Sequence, residues 1–387
     1  MVIHPAFASD PRGWLLAHRP DDPIAFFDPQ ALQRTAYSFQ DGFPGLVSYA
    51  VKANPDKSVL MTLCRAGIAA FDVASPREMA QVRAVCPEAA LHYHNPVRSC
   101  TEIEAGLAAG VVSWSVDRMS ELDKLAALPE GTEIAVRLAL PVAGAAYDFG
   151  SKFGAAPEVA CALLRAVAER GLTPSMTFHP GTQCESPEAW ARYIAACAGI
   201  ARQAGVRLAR LNVGGGFAAH RAAKAPDLSA IFKAIRNATA EAFGNDAPQL
   251  VCEPGRAMVA DAVTVALRVK ALSDEAVFLN DGLYGALAEW RDLGPCGRIA
   301  VMSPGGETRA AKPRQCVLFG PTCDSLDRVP GHVALPEDLA EGDYLILGGM
   351  GAYAAAIATR FNGYGALRQV TLTGAGQMYS GHRRMSV

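Results

Sequence analysis

From residue 46 to 253 the chain repeats one alternation: a short, apolar, β-rich run followed by a longer stretch of helical spacing. The runs are LVSYAV from Leu46, AAFDVA from Ala69, ALHYH from Ala90 and VVSWSV from Val111. They continue with EIAVRLAL from Glu133, SMTFH from Ser175, LARLNV from Leu208 and QLVCE from Gln249. Several of the intervening stretches open on Ser or Asp, whose side chains cap free backbone N–H groups, and two close on Gly. Eight β units, each followed by a helix, predict an (α/β)8 TIM barrel, whose parallel strands are buried on both faces and so read as continuously apolar. A doubly wound open sheet uses the same ingredients; the even spacing favours the barrel.

After about residue 262 the pattern changes. AVTVALRVKAL, AVFLND, QCVLFGP and DYLILGGMGAY are strand-like and joined by turn-rich segments, which predicts a C-terminal, mostly β domain of sandwich or barrel-like form. The expected division is a barrel over 28–262 and a β domain built from 1–27 plus 263–387.

Composition removes several function classes. A net charge of −2, with both signs interspersed, argues against a nucleic-acid surface. No apolar run approaches the roughly 20 residues of a membrane span, and the N-terminus lacks a basic stretch followed by an apolar segment. The ten cysteines are scattered without a C-x-x-C pair, so no metal site is expected. Most of them read as small buried hydrophobes in a reducing compartment, which makes a cytoplasmic enzyme the expectation.

The ends of the eight runs carry Lys52, Asp72, Asn95, Asp117, Arg137, His179, the glycines 214–216, and Glu253 with Arg256. A barrel gathers strand C-termini on the face where such folds place their chemistry. Any one of these residues could be a strand cap or a solvated loop residue, but eight polar endings on one rim point to a site.

Lys52, in SYAVKANP, either reaches solvent along its stem or is desolvated. A desolvated amine has a lowered pKa and suits a Schiff base with pyridoxal phosphate. The turn NVGGGF offers backbone N–H groups to a phosphate, and EPGR one strand later adds the cation of Arg256. Glycine clusters alone mostly mark tight turns, but the loops after the last two barrel strands are a recurrent phosphate site. Glu253 beside a pyridine nitrogen would keep it protonated, so that the ring accepts electrons. His179 could lie flat on that ring or be a satisfied core histidine; Arg137 could meet the cofactor's phenolic oxygen or pair with Asp117. In GPTCDSLD, Cys323 could donate a proton to a carbanion, and Asp324 could bind a substrate ammonium.

With these residues assembled, the chain resembles the ornithine/lysine/diaminopimelate decarboxylases, the barrel-fold pyridoxal-phosphate enzymes. The matches run from YAVKANP (Tyr49–Pro55) through FDVAS, HNP, SVDRMSEL, KFG, FHPGTQC, LNVGGGF, CEPGR, NDGLYG, FGPTCDSLD and GMGAY to FNGY (Phe361–Tyr364). The resemblance implies a homodimer with shared active sites. It makes Lys52 the cofactor lysine, places Asp72, Arg137, His179 and Thr182 along the cofactor pocket, and assigns Gly214, Gly215, Gly216, Arg256 and Tyr353 to the phosphate. It assigns Glu253 to the pyridinium, and it carries Cys323 and Asp324 into the neighbouring subunit's site, with Phe361 beside the substrate.

The implied reaction is loss of CO2 from an amino acid that has displaced Lys52, with Cys323 assisting protonation of the α-carbon. Cys323-Asp324-Ser325 combines the aspartate of ornithine-type members with the serine of diaminopimelate-type ones. The aspartate favours ornithine or lysine, giving putrescine or cadaverine for polyamine biosynthesis. The segment Ala288–Asp292 departs from the ornithine-type pattern. Asp292 could supply a second contact to a distal amine; Arg291 or Trp290 in its place would suit a distal carboxylate or an apolar group. A non-catalytic regulatory homologue and a racemase of similar architecture are the other readings. The first usually lacks the cofactor residues, and the FHPGTQ, EPGR and GPTCDS set fits decarboxylases better than racemases.

Overall fold

The computed structural model describes residues 6–140, 152–222 and 224–373. It divides into two units, Leu32–Ala260 and Met1–Ala31 with Asp261–Val387. The chain begins with β1 (Ala6–Ala8) and β2 (Ile24–Phe27), which belong to the second of these units.

The first unit is a closed barrel of eight strands. They are β3 (Leu46–Ala50), β4 (Ala70–Asp72), β5 (Ala90–Tyr93), β6 (Val111–Val116), β7 (Glu133–Leu138), β8 (Thr173–Phe178), β9 (Arg210–Asn212) and β10 (Gln249–Cys252). Every neighbouring pair is parallel, and β10 closes on β3. All eight expected runs are therefore strands of one barrel, and the open-sheet alternative is excluded.

Helices follow the strands, and their starts are written in the sequence. Ser99 and Glu102 form a capping box at Cys100–Ala108, each side chain bonding the other's backbone N–H. Asp56, Ser75 and Asp227 cap Lys57–Arg65, Pro76–Arg83 and Leu228–Phe243, while Gly205 ends Pro187–Ala204 in the left-handed region.

Side-chain alternation divides each strand between an outer apolar face and the lumen. On β6, Trp114 packs so closely on the helix Cys100–Ala108 that a Cβ at Gly106 would lie 2.4 Å from its indole. Ser113 and Ser115 take the opposite face of that strand, and both are buried. The lumen consequently holds small and polar side chains, including Ser48, Asp72, His92, Ser113, Thr177 and Asn212.

Six of the cysteines are buried with free thiols, as small hydrophobes would be. Cys64 and Cys86 depart from that reading: they are joined in a disulfide between the helix Lys57–Arg65 and the turn after Pro76–Arg83. A separation of 22 residues in sequence gave no spacing signal for it. No helix among the described residues is long and apolar enough to cross a membrane.

The second unit is a mostly β sheet containing β1 and β2 together with β11 (Val263–Leu272), β12 (Ala276–Leu279), β13 (Ile299–Met302), β14 (Pro313–Phe319), β15 (Val333–Pro336), β16 (Tyr344–Leu347) and β17 (Arg368–Leu372). The long β11 pairs antiparallel with β2, β12 and β16, and β2 also pairs parallel with β17. Trp14, Leu15, Ile24, Phe26, Met302, Tyr344 and Val370 form a core that ties the start of the chain to its late strands. Burying side chains of this size contributes roughly 1.5–3 kcal/mol each, before the entropy of ordering them.

Candidate active site

The C-terminal ends of the barrel strands carry the site. Lys52 sits on the 3-10 turn Val51–Ala53 directly after β3, half-exposed, with Nζ 3.4 Å from Oδ2 of buried Asp72 at the end of β4. The turn after β10 packs onto it: Ala50 N donates to Pro254 O, and a Cβ at Gly255 would lie 3.1 Å from that of Ala53. Lys52, Glu253 and Arg256 are thereby held by interlocking turns, and Arg256 opens the short helix Arg256–Val259.

Glu253 is almost buried and accepts two bonds on Oε1, one from His94 Nδ1 at 2.5 Å and one from Asn212 Nδ2 at 2.5 Å. Burial opposes its ionisation, but His94, Lys52 and the Asn212 amide hold its pKa well below the ordinary range. Asp72 moves the other way, raised by burial and by the charge of Glu253 against the pull of Lys52. The two carboxyls in one lumen are thus pushed apart in pKa, with Glu253 the ionised one.

His179 follows β8, and its Nδ1 accepts the N–H of Gly181 at 3.1 Å. Burial, then the charges of Arg137 and Lys52, bring its pKa to about 3, so the ring is neutral. Arg137, on β7, lies over the Phe153 ring at 5.3 Å, and its pKa is lowered by burial against the pull of Glu253, Asp72 and Asp117. Asp117 itself pairs with Arg118 at 2.7 Å and accepts from Gly154 N at 2.9 Å. Of the two partners left open for Arg137, Asp117 is therefore already engaged locally. Thr182 is buried beyond His179.

The glycine turn after β9 is shaped by backbone contact. Gly214 N donates to Asn212 Oδ1, which joins the turn to the Glu253 pair. A Cβ at Gly215 would stand 2.6 Å from Glu253 O and 3.4 Å from His179 Nε2. Gly216 has φ +81°, and a Cβ there would stand 2.3 Å from Gly181 O. Only glycine lets the three turns meet this closely.

The other expected residues lie in the second unit. Cys323 is exposed, with both its N–H and Sγ near Asn362 Oδ1, the latter at 3.3 Å. Tyr284 donates its hydroxyl to Asp324 Oδ2, and its ring lies 5.1 Å from that of Phe361. That hydroxyl, together with Leu326 N, holds Asp324 below the usual carboxylate range. Arg291, rather than Asp292, joins this group, its guanidinium 6.0 Å from the Tyr284 ring centre. Trp290 is buried, and Asp292 is exposed with no side-chain bond among the described residues. Tyr353 adopts a left-handed φ of 60°, unusual for a side chain of its size. Asp327, fully buried, accepts from Leu283 N, Thr322 N and Thr322 Oγ1, and so ties the NDGLYG loop to GPTCDSLD.

Sequence reasoning missed His94, Asn212, Tyr284 and Asn362. For His94 a signal existed: in ALHYH two histidines alternate, so one strand face carries both. Asn95, which follows that run, accepts from Val97 N on its Oδ1.

Residues 30–260 match the family described as pyridoxal-dependent decarboxylase, pyridoxal binding domain. The chain belongs to this family. A decarboxylase of Aspergillus flavus, FlvG, is 31% identical over 337 residues, covering 82% of this chain and 77% of that protein. The ornithine decarboxylase of Panagrellus redivivus is 30% identical over 375 residues, covering 89% and 84%. The solved arginine decarboxylase of Paramecium bursaria Chlorella virus superposes with a TM-score of 0.82 at 26% identity, covering 93% of this chain and 98% of that one.

Pyridoxal phosphate, the cofactor of this decarboxylase, fits the chemistry of the rim. The glycine turn meets the backbone of Glu253 and borders a neutral histidine, and an amine and an ionised carboxylate stand on the same mouth.

Proposed function

We propose that this decarboxylase removes CO2 from a basic L-amino acid, ornithine or lysine, and that Lys52 and Cys323 are its catalytic residues. The observation that carries the cofactor half of this reading is the joining of Lys52, Asp72, His179, the glycine turn and Glu253 on one barrel mouth. Lys52 Nζ would hold the cofactor's aldehyde carbon, and Gly214–Gly216 with Arg256 and Tyr353 its phosphate. Glu253 would face the ring nitrogen, with Asp72, Arg137, His179 and Thr182 around the ring. When bound, the cofactor supplies an acceptor for the electron pair that the departing CO2 leaves behind.

This chain's residues do the rest. Glu253 is already ionised, so it can keep a proton on a ring nitrogen beside it. The half-exposed Lys52 amine can exchange with an incoming substrate amine and return to release the product. Cys323 Sγ, exposed, is the proposed proton donor to the α-carbon, acting in the site of a second copy as the family resemblance implies. Half-buried Asp324, kept anionic by the Tyr284 hydroxyl, would bind the distal ammonium, with Phe361 along the chain of the substrate. A cytoplasmic homodimer serving polyamine biosynthesis completes the reading.

One observation favours a second substrate class. Arg291 stands over Tyr284 where a carboxylate contact from Asp292 was expected, which suits a substrate with a distal carboxylate, such as diaminopimelate or a carboxylated polyamine. CO2 release from ornithine, lysine, arginine, diaminopimelate and carboxylated polyamines decides between them. Preference for a distal carboxylate would sink the ornithine/lysine assignment and leave the cofactor chemistry standing.

A further inference from the structure

A file of hydrogen-bonded side chains runs through the barrel lumen from the site to the opposite mouth. His94 Nδ1 meets Glu253 Oε1 at 2.5 Å, and His94 Nε2 meets Ser113 Oγ at 2.9 Å. Ser113 Oγ donates to Glu133 Oε1 at 3.1 Å, and Glu133 Oε2 pairs with Arg210 at 3.0 Å. Glu133, Arg210 and Gln249 are the first residues of β7, β9 and β10, so the file ends at the N-terminal mouth, on a cleft of about 570 Å³ that they line. His94 and Ser113 are both buried.

With Glu253 ionised, the directions of these bonds agree with one another for a doubly protonated His94, and the Asn212 amide, 2.9 Å from His94 Nδ1, donates to Glu253 Oε1 instead. With protons on both nitrogens, the ring donates to Glu253 and to Ser113, leaving the serine hydroxyl to donate to Glu133. Every member is then satisfied, as a buried polar network must be to be stable. The groups facing His94 favour that state: Glu253 from β10, Asp72 from β4 and Glu133 from β7, with Lys52 and Arg137 farther out on the rim. Against the cost of burial, Glu253 and then Asp72 and Glu133 raise its pKa. His92, stacked 5.5 Å away on the same strand, cannot share the charge: burial and His94 bring its pKa to about 3.

We propose that His94 is a positioning residue for the decarboxylation: as an imidazolium held between Glu253 and Ser113, it fixes Glu253 in its ionised form and orientation. Asp72, His94 and Glu253 each have a polar side-chain atom within 4.8 Å of the others. Two carboxylates at that distance repel when buried, and Lys52 stands beside Asp72 rather than between them. Of the two carboxyls His94 bonds Glu253, and so selects which of them remains charged. The inference rests on reading Glu253 as the partner of the cofactor's ring nitrogen.

The test compares wild type with His94→Phe, His94→Asn and Ser113→Ala. In the cofactor-free protein, the ¹⁵N signals of His94 should show both ring nitrogens still protonated above the ordinary histidine value of about pH 6.5, and Ser113→Ala should lower its titration. A neutral His94 in wild type overturns the proposal. In the holoenzyme, His94→Phe should keep the visible band while kcat falls at least about tenfold with KM within about threefold. Its acid limb in kcat should move up by about one pH unit. His94→Asn, whose amide can still donate to Glu253, should recover part of kcat with the limb still displaced. A pH profile and kcat in both variants within about twofold of wild type overturn the proposal. If His94→Phe does not fold, an undisplaced limb in His94→Asn does so alone. A wild type with no Lys52-dependent band would overturn the functional reading instead, and the ¹⁵N titration would still decide the state of His94.

Discussion

Lys52 Nζ and Asp72 Oδ2 stand 3.4 Å apart across the ends of adjacent strands, so a half-exposed ammonium is the nearest cation to a buried carboxyl whose charge is disfavoured. The pair keeps the lysine at the rim, where it can hold a cofactor, without burying its charge. Lys52→Ala should lose the visible cofactor band and all CO2 release. Full activity in that variant would rule out the scheme.

The His94–Glu253 pair predicts a pH window of stability. Glu253 has a folded pKa below its unfolded value, so its contribution is present above about pH 4.5 and is lost as pH falls through the folded pKa. His94 has a folded pKa above its unfolded value, so its contribution is complete below about pH 6.5 and is lost as pH rises through the folded pKa. Denaturant unfolding of the cofactor-free protein should show the largest gap between wild type and His94→Asn at about pH 5–6. A gap that grows steadily into the alkaline range would contradict the pairing.

Asp324→Asn should raise KM for ornithine or lysine by about tenfold or more, with a smaller change in kcat, because it removes the charge proposed to face the distal ammonium. Arg291→Ala should leave that KM nearly unchanged if the substrate is a diamine precursor. Improved turnover of ornithine on replacing Arg291, measured by CO2 release, would favour the distal-carboxylate reading.

Gly215→Ala would place a methyl group 2.6 Å from Glu253 O, a backbone atom that cannot swing aside. The expected cost is about 1–3 kcal/mol of stability together with weakened cofactor binding. Thermal unfolding and cofactor titration measure the two separately, and unchanged binding would argue against the turn as the phosphate cradle.

The Cys64–Cys86 bridge closes a loop of 22 residues, for which chain entropy suggests about 3 kcal/mol of stabilisation. Cys64→Ser with Cys86→Ser should lower the unfolding free energy by that order and the midpoint with it, and reductant should do the same to wild type alone. Equal midpoints in all three samples would show that the bridge does not form in solution.

The barrel was legible in the sequence because parallel strands buried on both faces leave continuous apolar runs that helices must separate. Lys52, Asp72, His179, the glycine turn and Glu253 were legible as endings of those runs, and the barrel does bring these endings to one mouth. For His94 the alternation in ALHYH showed only a shared strand face; its importance comes from Ser113 on β6 and Glu253 after β10, which no local spacing links to it. Asp292 was favoured over Arg291 from sequence offset alone; a short helix at Trp290–Leu293, anchored by buried Trp290, presents the arginine to Tyr284 instead. The disulfide was hidden for the same reason as His94: its two cysteines meet only through packing.

Asp327 gives the two loops around Tyr284 and Asp324 a common anchor, and Cβ atoms at Gly282 or Gly320 would collide with it. The loops therefore move as one tile. Exchanging the residues proposed to face substrate on either loop alone strains a carboxylate that also holds the other, so changes of preference should arise as paired substitutions. Loss of Asp327 should erase discrimination between substrates in a single step, before it erodes turnover of any one of them.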